Sequence, residues 1–529
     1  MRQSKTAATT IGTTTETQTS LPPAIELRHI NKKFGTVHAN RDVDLAVPKG
    51  TIHGIVGENG AGKSTLMSIL YGFYEADSGE ILVNGNQVNI RSSADAIAAG
   101  IGMVHQHFML VGPFTVLENV ILGAEGGALL SDGIDKARQE LKRLAHDFGL
   151  EVDPDAIVDE LPVGVQQRVE ILKALFRGAE ILILDEPTGV LTPQETDRLF
   201  EILNTLRARG VTIVLITHKL REIMAITDNV SVMRQGAMVA HQATTATSRE
   251  ELAELMVGRK VLLHIQKQAA NPGATLLEAR GVTVIDSARV KRVDNVSFSV
   301  RAGEIVGIAG VSGNGQSELL EALSGIRPLS SGSVRIGNAL ITPETPLTPK
   351  RMRDLKLAHV PEDRHRMGLI PGFEAAESAI LGYHDRAPYT GRFFINRKAI
   401  LADCDRKMTD FDVRPHDPLL KSANFSGGNQ QKLVLAREME TQPNVLLIGQ
   451  PTRGVDIGAI EFIHKTIIAM RDAGAAILLV SVELDEIMSL SDRILVMFSG
   501  RIVGEVDGSK ADEKTLGLMM ANAMPEAAE

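Results

Sequence analysis

Residues 57–65 read Gly57-Glu58-Asn59-Gly60-Ala61-Gly62-Lys63-Ser64-Thr65. This stretch matches a phosphate-binding loop, in which glycines let the backbone wrap around a phosphate group and point N–H groups at its oxygens. An apolar strand-like run, 52–56, precedes the loop, and a helix-like run begins at Ser64. A strand, this loop and a helix in that order are the context that the motif requires. The sequence therefore predicts a phosphate site, with Lys63 at the β- and γ-phosphates of a nucleotide and the Ser64 hydroxyl on Mg²⁺.

Two acidic residues, Asp185 and Glu186, follow another apolar run, 181–184, and His218 lies just beyond a third, 211–216. The carboxyl ends of strands in an α/β sheet face its ligand crevice. We expect Asp185 to hold Mg²⁺, directly or through water, and Glu186 to act as general base on the attacking water. An isolated acidic pair is as often a solvated loop or a helix cap, and an isolated histidine is usually structural. Their position beside the phosphate loop favours the functional interpretation.

The motifs of the first half recur once, in the same order, in the second half. Segments 57–65, 161–167, 183–188 and 216–218 are matched by 310–318, 425–431, 447–452 and 480–482. Four ordered matches are hard to obtain by chance, so we infer a tandem duplication of one domain. Each half alternates apolar, strand-like runs with longer helical stretches. This alternation predicts an α/β fold with parallel sheets covered by helices.

Composition narrows the functional classes. The chain has 529 residues, a net charge of −9 and one cysteine, Cys404. The acidic balance argues against nucleic acid as the main partner, and a single cysteine excludes a disulfide framework within the chain and sites built from several cysteines. No apolar run approaches the ~18 residues of a membrane span, and the Thr-rich segment 1–23 has no signal-peptide core. We expect a cytoplasmic protein with a disordered N-terminal extension.

These motifs, in this order, resemble those of the ATP-binding-cassette (ABC) ATPases. The tandem layout is similar to the two-cassette ATPase subunits of bacterial sugar and nucleoside importers, and segments 100–119 and 360–364 are similar to the nucleoside-importing branch. The resemblance covers about residues 24–520. It implies two tandem P-loop NTPase domains, each with a mixed or parallel sheet core and a helical subdomain. The expected divisions are a tail 1–23, domain 24–265, linker 266–273, degenerate domain 274–520 and tail 521–529.

The resemblance also assigns roles. Phe34 would stack on adenine, Gln106 would contact Mg²⁺ and sense the membrane partner, and Ser426–Gly428 would form the signature that faces the γ-phosphate held by the other cassette. The residues expected to bind ATP are Phe34, Gly57, Asn59, Gly60, Ala61, Gly62, Lys63, Ser64, Thr65, Gln106, Ser426, Gly427 and Gly428. Those expected to hold Mg²⁺ are Ser64, Gln106 and Asp185, and the expected catalytic residues are Glu186 and His218.

In this family each ATP site joins the phosphate loop of one cassette to the signature of the other, so the two sites here are expected to be unequal. The site on the first loop has every part. The site on the second loop would comprise Gly310, Gly315, Gln316, Ser317, Gly449, Gln450 and Val482, with Pro162 from the signature of the first half. Gln316 replaces the lysine, Gly449 the metal-binding aspartate and Gln450 the general base, and Glu362 stands where the first half has Gln106. We predict that this second site does not hydrolyse ATP.

One departure from the family pattern concerns the loop after the general base. Thr192 stands where the family usually has Asp, whereas Asp456 holds that place in the second half. Communication between the two sites is therefore expected to differ from the usual pattern of the family.

The resemblance implies an ATPase, with ATP and Mg²⁺ as cofactors, that drives nucleoside uptake at the cytoplasmic face of the inner membrane. Its expected partners are membrane permease subunits and, indirectly, an extracytoplasmic solute-binding protein, with the two cassettes forming a pseudo-dimer within one chain. The same machinery importing a simple sugar such as ribose or galactose is the first alternative. A soluble two-cassette ATPase of the ribosome is less favoured, because the linker is short and one site is broken. A DNA-repair ATPase lacks room for its inserted modules, and the intact first site disfavours a non-enzymatic scaffold.

Overall fold

The structure is a computed structural model. It describes residues 22–35, 37–105, 108–123, 131–189, 191, 193–260, 267–311, 313–391, 393–455 and 457–522. Gln106, Thr192 and Asp456 therefore lie outside the described residues, as do segments 1–21 and 523–529 of the expected tails and segment 261–266, where the expected first domain meets the linker.

The first half contains ten strands and eight α-helices in the part of it that the structure describes. In chain order they are β1 (Ile25–Phe34), β2 (Val37–Val47), β3 (Ile52–Val56), α1 (Lys63–Leu70), β4 (Ser78–Val83), β5 (Asn86–Val88), α2 (Ser93–Ala98), β6 (Ile101–Val104), α3 (Val116–Ile121), α4 (Ser131–Phe148), α5 (Val163–Phe176), β7 (Ile181–Asp185), α6 (Pro193–Ala208), β8 (Thr212–Ile216), α7 (Leu220–Ile226), β9 (Asn229–Arg234), β10 (Ala237–Ala243) and α8 (Arg249–Val257).

The second half repeats this order closely. Its elements are β11 (Thr275–Ile285), β12 (Lys291–Arg301), β13 (Glu304–Ala309), α9 (Gln316–Leu323), β14 (Ser331–Ile336), β15 (Ala339–Ile341), α10 (Pro349–Asp354), β16 (Leu357–Val360), α11 (Ala375–Ser378), α12 (Arg397–Asp410), α13 (Gly427–Met439), β17 (Val445–Gly449), α14 (Ile457–Asp472), β18 (Ala476–Ser481), α15 (Leu484–Leu490), β19 (Arg493–Phe498), β20 (Arg501–Asp507) and α16 (Glu513–Met520).

Each half has one six-stranded and one four-stranded sheet. The six-stranded orders are β10-β9-β3-β8-β7-β6 and, read from the opposite edge, β16-β17-β18-β13-β19-β20. Their strands pair in parallel except for the terminal antiparallel hairpins β9–β10 and β19–β20. The four-stranded orders, β2-β1-β4-β5 and β12-β11-β14-β15, are antiparallel. The predicted fold class, a repeated α/β domain with a mixed sheet core, is confirmed.

The central strands are buried on both faces, which is why they read as nearly continuous apolar runs. In β7, Leu182 and Leu184 enter the core shared with helices α5 and α6, whereas Ile181 and Ile183 enter the core shared with α1 and the four-stranded sheet. Side chains alternate between the faces of a strand, so one short run supplies both cores.

The parallel order brings the candidate site together. β3, β8 and β7 are parallel neighbours, so the chain leaves all of them at the same edge of the sheet. Helices α3, α4 and α5 are inserted between the adjacent strands β6 and β7, and α11, α12 and α13 between β16 and β17. Across the described ranges, none of the helices has the length and apolar character needed to span a bilayer.

Candidate functional site

The first phosphate loop depends on glycine at two positions. Gly62, which caps α1, has a φ of 103°, and a Cβ there would lie 2.2 Å from the Ala39 carbonyl oxygen. A Cβ at Gly57 would lie 2.3 Å from the Met233 carbonyl oxygen. Both contacts are too close for any side chain, so only glycine lets the loop turn tightly between β3 and α1.

Lys63, the first residue of α1, is buried although it is charged. Its ammonium group donates hydrogen bonds to the carbonyl oxygens of Gly57, at 2.7 Å, and Glu58, at 3.0 Å. These bonds hold the positive charge against the loop at the N-terminus of α1, where the helix dipole is also positive. The local field of the loop therefore favours an anion.

Asp185 ends β7 at the edge of the sheet that faces Lys63 and Ser64. Burial and the neighbouring Glu186 charge raise the pKa of Asp185, although Lys63 and Ser64 act in the opposite direction. A bound cation would relieve this cost of a buried carboxylate. Carboxylate and hydroxyl oxygens suit Mg²⁺, so Asp185 and Ser64 fit the ion that the sequence predicts.

Glu186 and His218 form a hydrogen-bonded pair, with 2.8 Å between Glu186 Oε1 and His218 Nδ1. Burial by itself would raise the pKa of Glu186, but the His218 hydrogen bond and the charges of His218, Lys63 and Lys219 outweigh it and lower that pKa. Glu186 is thereby kept as a carboxylate, which is the form that accepts a proton. Its backbone has a φ of 47°, a strained conformation of the kind found at functional sites.

A cleft of about 2050 Å³ separates the two halves at this edge. Among the predicted residues that line it are Phe34, Asn59, Gly60, Gly62, Lys63, Ser64, Thr65, Asp185, Glu186 and His218 from the first half, with Gly310, Gln450 and Val482 from the second. Gly57 and Ala61 belong to the same loop but are buried. Phe34, at the end of β1, is 42% exposed; its ring meets the Tyr74 ring edge-on at 5.1 Å, and Lys32 Nζ lies 5.6 Å from its centre.

Ser426, Gly427 and Gly428 do not line this cleft in the described part of the chain. Ser426 caps α13 by accepting a hydrogen bond from Asn429 N, and Gly427 packs against Arg364, whose guanidinium Nη2 would lie 2.4 Å from a Cβ there. The signature is thus formed as the cap and first turn of α13. Pro162, at the same position before α5, makes no side-chain cap.

Three pairs of oppositely charged residues connect the two halves beside the cleft. Lys219 Nζ lies 3.3 Å from Glu483 Oε1, and these residues directly follow His218 and Val482. Arg221 is paired with Glu513, and Arg249 Nη2 lies 3.6 Å from Asp485 Oδ2. Segments next to His218 and Val482 therefore face each other across the cleft.

Sequence reasoning missed Glu222, a buried residue of α7. Its carboxylate accepts hydrogen bonds from the hydroxyls of Thr188 and Thr217. Thr188 lies two residues beyond Glu186 and Thr217 directly precedes His218, so Glu222 ties the two loops together. Its only sequence signal is an acidic residue among apolar ones one helical turn after His218, which is too weak a pattern to identify it.

The second loop has the same shape with different chemistry. Gln316 begins α9 and is buried, and its Nε2 lies 2.1 Å from where a Cβ of Gly310 would be. Its amide therefore covers the loop where Lys63 covers the first. Gly315 caps α9 with a φ of 100°. Gln450 Oε1 accepts a hydrogen bond from Val482 N at 3.3 Å, so the pair equivalent to Glu186 and His218 has no titratable side chain.

Glu362 occupies the interior of this second site. Its carboxylate accepts a hydrogen bond from the Ser317 hydroxyl. Burial raises the pKa of Glu362, although Ser317, Arg453 and Gln450 act in the opposite direction. Gly449, at the end of β17, places no side chain beside it.

The fold and these sites define a class, a protein with two P-loop nucleotide-binding domains whose two phosphate loops carry different side chains. The family model described as ABC transporter matches residues 40–189 and 293–453. The chain is 46% identical over 499 residues to the guanosine import ATP-binding protein NupO of Bacillus subtilis (strain 168), covering 94% of this chain and 97% of that protein. It is 45% identical over 496 residues to the nucleoside import ATP-binding protein NupA of Lactococcus lactis subsp. cremoris (strain MG1363), covering 94% and 97%.

A third relative is the glucose import ATP-binding protein TsgD13 of Haloferax volcanii, which is 44% identical over 528 residues, covering 94% of this chain and 96% of that protein. The chain belongs to the ABC transporter family, as an ATP-binding protein with two cassettes. The predicted family and the predicted duplication of its ATP-binding domain are thereby confirmed.

Proposed function

We propose that this chain binds and hydrolyses ATP to drive the import of nucleosides through a separate membrane permease. The observation that carries the ATPase activity is the partly buried Glu186–His218 pair beside Lys63, Ser64 and Asp185 at one sheet edge. The observation that supports the solute class is the identity of 46% and 45% to proteins named for guanosine and nucleoside import.

Each side chain of the first site has a role in this proposal. Lys63 and the N-terminus of α1 bind the β- and γ-phosphates, and Phe34 stacks on adenine. Asp185 and Ser64, with Gln106, hold Mg²⁺, which when bound neutralises phosphate charge. Glu186 accepts the proton of the attacking water, and His218 orients its carboxylate. Positioning and charge stabilisation of this kind supply most of the catalysis of phosphoryl transfer.

Coupling requires the halves to move. The N-terminus of α13, with Ser426, Gly427 and Gly428, would approach the γ-phosphate held by Lys63 when ATP is bound. Hydrolysis would release this contact and reopen the cleft. At the second site Gln450 cannot accept a proton and Gly449 cannot ligate metal, so one ATP is hydrolysed in each cycle.

The proposed role in import also implies partners for the chain. Permease helices would dock on the helical segments inserted between β6 and β7 and between β16 and β17, beside Gln106 and Glu362. The chain would act as a peripheral protein at the cytoplasmic face of the inner membrane, supplied indirectly by an extracytoplasmic solute-binding protein. Its domains would be 24–265 and 274–520, joined at 266–273.

Import of a simple sugar is the second candidate, because the relative from Haloferax volcanii, 44% identical, is named for glucose import. Uptake of labelled purine nucleosides, ribose, galactose and glucose by the source cells would separate the two. We expect Glu186→Gln to abolish nucleoside uptake alone, and Glu254→Gln, an exposed residue of α8, to leave it unchanged. Loss of sugar uptake alone would overturn the solute class. Unchanged uptake of every solute, with ATP turnover lost, would overturn the transport role.

A further inference from the structure

Six residues beside the cleft form a charged surface that is positive on the first half and negative on the second. Its positive side consists of Lys219, Arg221 and Arg249, and its negative side of Glu483, Asp485 and Glu513. These residues form the three ion pairs that connect the halves. The hydrogen bond to Glu513 raises the pKa of the Arg221 guanidinium, and the charge of Asp485 adds to this effect, so neighbouring pairs act together.

The pairing follows an approximate two-fold symmetry. Positions 264 residues apart are equivalent here, because α7 and α15 begin at 220 and 484, and α8 and α16 at 249 and 513. Lys219 and Glu483 are therefore equivalent to each other and meet at the axis. Each of the other two pairs maps onto the other, with the signs of the charges reversed. This is the relation expected of a two-fold interface, in which residue i contacts j and j contacts i.

The sign of the charge changes while the surrounding helix does not. Segments 219–224 and 483–488 have the same residue at four of six positions and reverse the charge at the other two. Three of the four shared positions, Leu220, Glu222 and Ile223 in the first half, are buried in both copies. The reversed positions are the ones that meet the other half. The reversal therefore serves the contact between the halves, because the packing of α7 and α15 does not require it.

Two copies of the same half would not fit each other in this arrangement. Two first halves would place Lys219 against its own copy and Arg221 against Arg249, and two second halves would bring only carboxylates together. Like charges in contact oppose association. The six side chains are partly exposed, so each attraction between unlike halves is small. A surface of this kind selects a partner more than it strengthens the contact.

The connection between the halves favours pairing within one chain. Lys267 Nζ donates hydrogen bonds to the carbonyl oxygens of Leu490 and Ser491, and lies 3.1 Å from Asp492 Oδ1. The chain is thus fixed to the second half at the end of α15, the helix that carries Asp485. The ten residue steps from Val257, where α8 ends, to Lys267 span at most ~36 Å. A tether this short keeps the two sides of the charged surface at high effective concentration.

We propose that the charged surface selects the partner of each half. It directs the first half to the second half of the same chain and opposes the pairing of like halves from two chains. Under the proposed function, two first halves would bring Pro162, and not Ser426, to the loop that carries Lys63. The inference goes beyond that function, because it concerns which halves meet and depends on neither the solute nor hydrolysis.

The test measures how the halves are placed in the full chain at low ionic strength, without ATP. Spin labels on Glu254→Cys and Lys510→Cys, one in each half, report their separation by double electron–electron resonance. Both sites are exposed and lie outside the charged surface. Cys404 is buried, so the introduced cysteines take the labels. We expect a narrow distance distribution, and the mass of one chain by sedimentation.

The variants reverse one side of the charged surface at a time. Changing its three positive residues to glutamate, or its three negative residues to lysine, should lower the ratio of paired to separated halves by at least about tenfold, since each exposed pair is worth up to about fivefold. Both sets together should restore the narrow distribution. In 1 M NaCl the difference should largely disappear, because the Debye length falls to about 3 Å.

A matched control makes the same change of net charge elsewhere on the first half. Lys49→Glu, Lys136→Glu and Lys142→Glu alter three exposed residues away from the charged surface and should leave the distance distribution unchanged. Circular dichroism identifies any variant that fails to fold. Lys219→Glu, with and without Glu483→Lys, then gives the same comparison at one pair.

Four results would overturn the proposal. Unchanged distances in both one-sided reversals would mean that other contacts select the partner. A double reversal that does not restore the distribution would exclude charge complementarity as the cause. Equal separation in the control would assign the effect to net charge. A narrow distribution with the mass of two chains would place the pairing between copies. None of these readouts uses ATP, so loss of ATP turnover or uptake, which would contradict the proposed function, is recognised separately.

Discussion

Glu186 in the first half and Gln450 in the second lie at the same backbone position. Each follows the strand that ends at Asp185 or Gly449, with φ of 47° and 49°. Each donates its N–H to a carbonyl oxygen of the neighbouring strand, that of Ile216 or Val480, at 2.8 Å. The two halves thus keep the same strained geometry with and without a side chain that can accept a proton. The geometry of this loop belongs to the fold, and the expected catalytic difference lies in the side chains that it carries.

The largest expected effect is at this pair. Glu186→Gln should lower the ATP turnover of the purified chain by about a hundred- to ten-thousandfold, since a general base contributes that much. ATP binding should persist, because Lys63 and the loop are untouched. Gln450→Glu is the matched change, and it should leave turnover close to wild type, since Gly449 and Gln316 still lack their charges. If the Glu186→Gln chain kept most of its turnover, the difference between Glu186 and Gln450 would not explain why one site is active and the other is not.

The second effect compares the two residues that cover the phosphate loops. Lys63→Ala removes a charge that is held by two carbonyl oxygens. Charge-assisted hydrogen bonds contribute about 1.5–3 kcal/mol, so ATP affinity at the first site should fall by roughly ten- to a hundredfold. Gln316→Ala should change total ATP binding by less than about threefold, because it removes a neutral group. Equilibrium titration with ATP measures the affinity of both variants. Equal losses of affinity would contradict the prediction that Lys63 contributes more to ATP binding than Gln316.

The strands that carry the phosphate loop and the acidic pair could be predicted from the sequence, because they form local patterns. The strand-like run 52–56 is β3 itself, and 181–184 and 211–216 match β7 and β8 to within a residue at either end. Buried parallel strands are short apolar runs, which makes them easy to recognise. The shared edge of β3, β7 and β8 follows from the topology that such runs imply.

Other features depend on contacts between distant segments and left no local signal. The four-stranded sheets mix exposed and buried residues with register shifts, as in β1 against β2, so no simple alternation marks them. Glu222 is placed by Thr188 and Thr217, which come from two other loops.

The third effect concerns His218, whose counterpart in the second half is Val482. The hydrogen bond from His218 helps to lower the pKa of Glu186 below its usual 4.5, against the effect of burial. Glu186 acts as a base only when ionised, so activity is retained above its pKa and is lost as the pH falls through it. His218→Ala removes the lowering contribution and should move the acidic limb of the turnover–pH profile to higher pH. At neutral pH turnover should fall by about tenfold, the usual worth of one hydrogen bond to a charged group.

His218→Gln restores a hydrogen-bond donor to Glu186 without a titratable ring. This variant separates the role of His218 in orienting the Glu186 carboxylate from the effect of the His218 charge. It should recover turnover at neutral pH and move the acidic limb most of the way back, and the shift that remains measures the contribution of the His218 charge. A limb that stays in place in His218→Ala would show that the histidine has no influence on the Glu186 carboxylate.

The smallest effect compares the two helices that open the signatures. Ser426 caps α13 by accepting a hydrogen bond from Asn429 N, whereas Pro162 gives α5 no side-chain cap. Loss of a serine cap costs about 1 kcal/mol, so Ser426→Ala should speed amide hydrogen exchange in the first turn of α13 by roughly fivefold. Pro162→Ser supplies the same cap to α5 and should slow exchange there by a similar factor. Because Gln450 still cannot accept a proton, Pro162→Ser should not raise ATP turnover. A rise in turnover would mean that the signature, and not the missing base, limits the second site.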